Sequence, residues 1–76
     1  MPLSARDFAE KLNSCLDSID APASARERAA ILSKMLDIPK QQAWSLVEGQ
    51  LVPEKELLQK IADEFEVDLL WLSSEK

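Results

Sequence analysis

Residues 29–53, AAILSKMLDIPKQQAWSLVEGQLVP, hold two short runs of helical periodicity separated by a turn. The first run, Ala29 to Leu36, puts Leu32 and Leu36 one helical turn apart, on a single face. Asp37 and Ile38 form the turn. The second run is expected from Pro39 to Glu48, because proline suits a first helical position and Gly49 follows as a stop. Ile38, Ala43, Leu46 and Val47 continue the inward face. Lys40, Gln41, Trp44 and Ser45 fall on the opposite face of the second helix. Pro53 is expected to open the helix after it.

Two helices joined by a turn of three or four residues form a helix-turn-helix, the arrangement that lays its second helix in a DNA major groove. At LSKMLDIPKQQAWSLVEGQLVP the chain resembles the Cro/phage-repressor-like (XRE-type) helix-turn-helix family. The later LLQKIADEFEVDLLWL resembles that family's closing segment, so the similarity spans roughly residues 24 to 72. Asp37 stands where the family usually has glycine, and aspartate tolerates the left-handed backbone needed there. The resemblance implies an all-α, compact five-helix, lambda-repressor-like domain over 1–76, with the motif at 29–49. It also implies a sequence-specific transcriptional regulator, phage- or prophage-like, bound to double-stranded operator DNA as a homodimer.

Working outward, Ser4 to Ile19 reads as the first helix, with Ser4 as cap and Asp7 in the first turn. Phe8, Leu12, Cys15, Leu16 and Ile19 mark its buried stripe. Asp20-Ala21-Pro22 breaks it. Ser24 is an N-cap for the second helix, with Glu27 three residues on as in a capping box. After Pro53, Leu57, Leu58, Ile61, Ala62 and Phe65 give a wide apolar face. A short last helix is expected over Asp68 to Leu72. A small monomer cannot bury Leu69, Leu70, Trp71 and Leu72 together. Leu69, Leu70 and Trp71 are therefore candidates for a dimer interface.

Several side chains are candidates for DNA contact. Glutamine can pair bidentately with adenine, which favours Gln41 and, after it, Gln42. Lys40 can reach a guanine edge or a phosphate, and Ser45 can donate or accept. Trp44 can meet thymine methyls, and Gln50 follows the glycine. Arg28 is implied by the resemblance as a phosphate contact, since the family's second helix approaches the backbone with its N-terminal end. Trp44, Leu51 and Val52 together also leave a second reading open: a protein-interaction module on the same scaffold, such as an anti-repressor or adaptor.

Composition bounds these readings. The chain has 76 residues, 46% of them hydrophobic, one glycine, one cysteine and no histidine. One small α-helical domain is expected, with Cys15 in its core. No Ser/His or Cys/His pair, phosphate loop or paired carboxylates offer catalysis, so neither an enzyme nor a cofactor or metal site is expected. No apolar stretch approaches a membrane span and no leader is visible, so the expected location is cytoplasmic, in a bacterial cytosol or phage-infected host. The net charge of -5 opposes DNA affinity, which depends on neutralising phosphates. Its distribution softens this: residues 24–52 hold Arg26, Arg28, Lys34 and Lys40 against Glu27, Asp37 and Glu48. The acidity lies mostly elsewhere, as a solvating surface or as a face for a protein partner.

Overall fold

The computed structural model describes residues 4–73, so the outermost three residues at each end of the expected 1–76 domain lie outside it. Among the described residues five helices follow one another: α1 Ala5–Ser18, α2 Ala25–Leu36, α3 Lys40–Val47, α4 Lys55–Phe65 and α5 Leu69–Ser73. No strand occurs among the described residues. The chain's radius of gyration is 11.0 Å, close to the roughly 11 Å expected of a compact chain this long.

Helix α1 starts where Ser4 Oγ accepts from the Asp7 N–H at 3.0 Å. Phe8, Ala9, Leu12, Cys15 and Leu16 then line its inner side at helical spacing. Ile19, expected on this stripe, is exposed instead. It falls just past the last helical residue, where the chain reverses through Asp20 in the left-handed region at φ 59°. Helix α2 opens in the same way, with Ser24 Oγ accepting from the Glu27 N–H at 3.4 Å. Pro39 caps α3 rather than occupying its first turn, and α4 begins two residues after Pro53, with Glu54 as its cap. Asp68 caps α5 from outside, its Oδ1 accepting from the Leu70 N–H at 2.9 Å.

All of the first four helices end alike. The residues Asp20, Asp37, Gly49 and Glu66 have positive φ. After each, the next N–H reaches back across the last turn: Ala21 to Leu16, Ile38 to Ser33, Gln50 to Ser45 and Val67 to Ala62. This is the Schellman closure, which satisfies carbonyls that a helix end would leave bare. Glycine adopts such backbone without strain, yet it occurs at only one of the four ends. The other three are acidic, at ends where the helix dipole is already negative.

The core is a single cluster. Phe8, Leu12, Leu16, Leu32, Leu36, Ala43, Leu46, Ile61 and Leu72 are fully buried, so every helix contributes. Lysines add polar ties between helices. Lys60 Nζ on α4 donates to the Leu36 carbonyl at 2.8 Å, a cation at the negative end of α2. Lys11 on α1 donates to the Trp71 carbonyl at 2.8 Å, and its ammonium lies 5.7 Å from the Trp71 ring centre. No helix among the described residues is long and apolar enough to cross a membrane.

Candidate nucleic-acid interface

Helix α3 is positioned by its inner face. Ala43 and Leu46 are fully buried and Val47 nearly so, which fixes the helix against α2 and α1. The turn before it is pinned as well. Ser33 Oγ–H donates to the Ile38 carbonyl, while the Ser33 carbonyl accepts the N–H groups of Asp37 and Ile38. Asp37 takes φ 58°, ψ 50°, the left-handed geometry anticipated from its place in the sequence. With its inner face and its entry both fixed, α3 presents a definite outer face.

That face holds Lys40, Gln41 and Trp44, all exposed. Trp44 is 40% exposed. Lys40 also borders an open groove along the outside of α2, lined by Ala30, Ile31, Ser33 and Lys34. Lys34 thus joins the site, although nothing in its spacing along the sequence singled it out. No side chain caps the first turn of α3, because Pro39 has none to offer. Ser45 is half-buried, and its carbonyl accepts the Gln50 N–H at 2.9 Å, holding exposed Gln50 close to the end of the helix. Leu51 and Val52, 37% and 40% exposed, follow directly.

Gln42 is separated from this group. It is half-buried and lines a second groove with Ile38, Glu54, Glu56, Leu57 and Lys60, on the side of α4. The flanking glutamates make that groove a poor place for a phosphate.

Arg28 requires a correction. Expected at a DNA phosphate, it is 8% exposed and serves the interior. Its Nε–H donates to the Pro22 carbonyl at 2.6 Å, and Nη1 to Asn13 Oδ1 at 2.9 Å and the Asn13 carbonyl at 3.3 Å. Nη2 pairs with Asp17 Oδ1. Asn13 extends the brace, its Nδ2 donating to the carbonyls of Ala9 at 2.8 Å and Val47 at 3.3 Å. The guanidinium therefore ties α1, the 20–24 loop and α2 together, with Asn13 reaching the end of α3. Its donors are committed inside the protein, which removes it from the set available to a ligand.

The expected dimer residues divide. Leu72 closes the core and Leu69 packs half-buried against it, whereas Leu70 is 76% exposed and Trp71 is 41% exposed. Cys15 is buried, and loss of solvation raises its thiol pKa above the ordinary value. Among the described residues no cluster of three or more Cys, Asp or Glu side chains is placed to hold a metal ion.

Site and fold together define a small all-helical domain with one mixed polar, cationic and aromatic helix face. Comparison adds no relative: no family model, curated protein or solved structure matches the chain.

Proposed function

We propose that this protein is a sequence-specific DNA-binding regulator that reads the major groove with α3, acting in a bacterial cytosol or a phage-infected host. One observation carries the reading. Helix α3 is anchored through Ala43, Leu46 and Val47, and turns Lys40, Gln41 and Trp44 outward together. A short helix held rigidly by a preceding helix and turn, with donors, acceptors and an apolar ring on its free side, has what base-edge readout needs. Lys34 and Lys40 supply charge beside it, and Glu54 and Glu56, at the start of α4, line the other groove with Lys60. Exposed Leu70 and Trp71 on α5 suit a homodimer contact, which would present two copies of α3 about 34 Å apart to a pseudo-palindromic site.

The test is a site selection from random duplexes, followed by affinity measurements on the preferred and a scrambled duplex. Gln41→Ala should cost ~1–3 kcal/mol on the preferred site and change scrambled binding little, as expected for a lost base contact. Lys40→Ala should weaken both duplexes alike and lower the salt slope by about one, as expected for a lost phosphate contact. If both variants bind every duplex like the parent, α3 is not the reader.

A second reading draws on the exposure of Trp44, Leu51 and Val52 around the end of α3. It makes the same face a protein-docking surface. It forecasts no duplex binding even at low salt, and loss of a protein complex in Trp44→Ala and Leu51→Ala.

A further inference from the structure

We propose that, in the protein free of DNA, α5 of one copy docks head to tail in the groove along α2 of a second copy. The contact itself stands without the DNA reading above; only its effect on that face rests on it.

The groove comes first. Ala30 and Ile31 give it an apolar lining, and exposed Lys34 and Lys40 give it two cations. It offers about 450 Å³ and lies open to solvent, with no acidic side chain among the described residues that line it.

The same molecule carries a matching projection. Leu70 is 76% exposed, more than any other large hydrophobic side chain among the described residues. Its own chain does not cover it, because α5 packs on α4 and α1 and sends Leu72 into the core. Asp63, Glu64, Glu66 and Asp68 precede it, all exposed, and no basic residue stands between Ile61 and Glu75. Asp68 is tied to it directly, its Oδ1 accepting from the Leu70 N–H.

An apolar side chain beside carboxylates thus meets, on another copy, an apolar groove beside ammonium groups. Water leaves both apolar surfaces on contact, which supplies the attraction. The charges decide which surfaces meet, since opposite potentials steer a contact and like ones oppose it. Pairing α5 with α5 sets the same carboxylates against their own copies, so off DNA the head-to-tail contact is the better use of Leu70. The two surfaces joined are different, so the contact is heterologous and continues from copy to copy. It also occupies Lys34 and Lys40. In the DNA reading, a duplex that takes these lysines frees α5 for the two-fold contact.

The experiment separates the two surfaces at exposed positions of the full chain. Leu70→Gln removes the apolar projection, and Ala30→Glu puts a carboxylate in the groove. Each variant alone should associate about tenfold or more weakly than the parent, the weight of one buried leucine. Mixed, they should pair one to one, because each supplies the surface that the other lacks. With Leu70→Gln isotopically labelled, the amide resonances of Ala30, Ile31, Lys34 and Lys40 should shift on mixing. With Ala30→Glu labelled, those of Asp68 and Leu70 should shift. Added sodium chloride should weaken the mixed pair, since salt screens attraction between carboxylate and ammonium groups. Melting curves matching the parent's would show that both variants fold.

A mixture that stays monomeric overturns the head-to-tail contact. So does an Ala30→Glu protein that self-associates like the parent, or a parent association that tightens with salt, as carboxylates facing carboxylates would. Pairing of the two variants without binding to any duplex keeps the contact and removes only the DNA reading.

Discussion

Replacing Arg28 by alanine removes the one charged side chain built into the described interior, and its cost can be worked from its partners. The Asp17 carboxylate is 68% exposed and regains water when the guanidinium leaves, so that pair contributes only ~0–1 kcal/mol. The Pro22 carbonyl and the Asn13 acceptors are partly shielded, and losing their charge-assisted bonds costs about 1–1.5 kcal/mol each. The buried aliphatic stem adds roughly 1 kcal/mol of lost packing. The total is about 3–5 kcal/mol, a large part of the ~4–11 kcal/mol available to a chain of this length. At about 4–8 °C per kcal/mol, the melting temperature should fall by about 12–40 °C. Arg28→Lys should restore little of this, since an ammonium cannot reproduce the planar fork. Asp17→Ala should be much milder than Arg28→Ala. Urea and thermal unfolding followed by circular dichroism would measure all three. An Arg28→Ala protein within 0.5 kcal/mol of the parent, yet weakened on every duplex, would refute the brace and return Arg28 to the phosphates.

Three further outcomes are expected. Glu66→Gly should stabilise the protein by about 0.5–1.5 kcal/mol in the same unfolding assay, because it relieves left-handed strain and removes a negative charge from the end of α4, less the entropy glycine adds to the unfolded chain. Cys15 should resist alkylation in the native protein and react on unfolding. Because burial raises its folded pKa, the native thiol holds its proton where the unfolded one ionises, so its contribution to stability is complete below the unfolded pKa, about 8.5, and falls as pH rises above it. Leu70→Glu should shift sedimentation at tens of micromolar from dimer to monomer without changing the melting of the monomer, whereas a parent that sediments as a monomer both free and on DNA would remove the dimer.

The α3 register was legible because burial obeys helical spacing. Ala43, Leu46 and Val47 could face inward together only if Gln41 faced out with Trp44 beside it, and both are exposed; Lys40, whose spacing puts it near Val47, is exposed because it is the first residue of the helix. Arg28 was misread because its partners lie 6 to 15 residues away, across a loop and on another helix. A signal was present nonetheless: Arg28, Leu32 and Leu36 are spaced four apart, so the arginine lies on the buried stripe of α2. Helix ends were less legible than faces. Asp37 could be placed from its resemblance to a glycine position, but Asp20 and Glu66 adopt the same backbone with no local composition that demands it. Ile19 has the right spacing for the core and loses its place because α1 stops one residue before it. Gln42 went to the other groove because it adjoins Ala43 on the side of α3 that faces α4.

The claim that α3 is a DNA-reading face is tested most directly by mapping the amide resonances of the full-length, isotopically labelled protein during titration with its selected duplex. The account predicts shifts concentrated at Lys34, Lys40, Gln41, Trp44, Ser45 and Gln50, with the Trp44 indole N–H among the largest, and little change at Asn13, Asp17 and Arg28. Shifts confined to α1, α4 or α5, or no shifts at stoichiometric duplex in low salt, would contradict it.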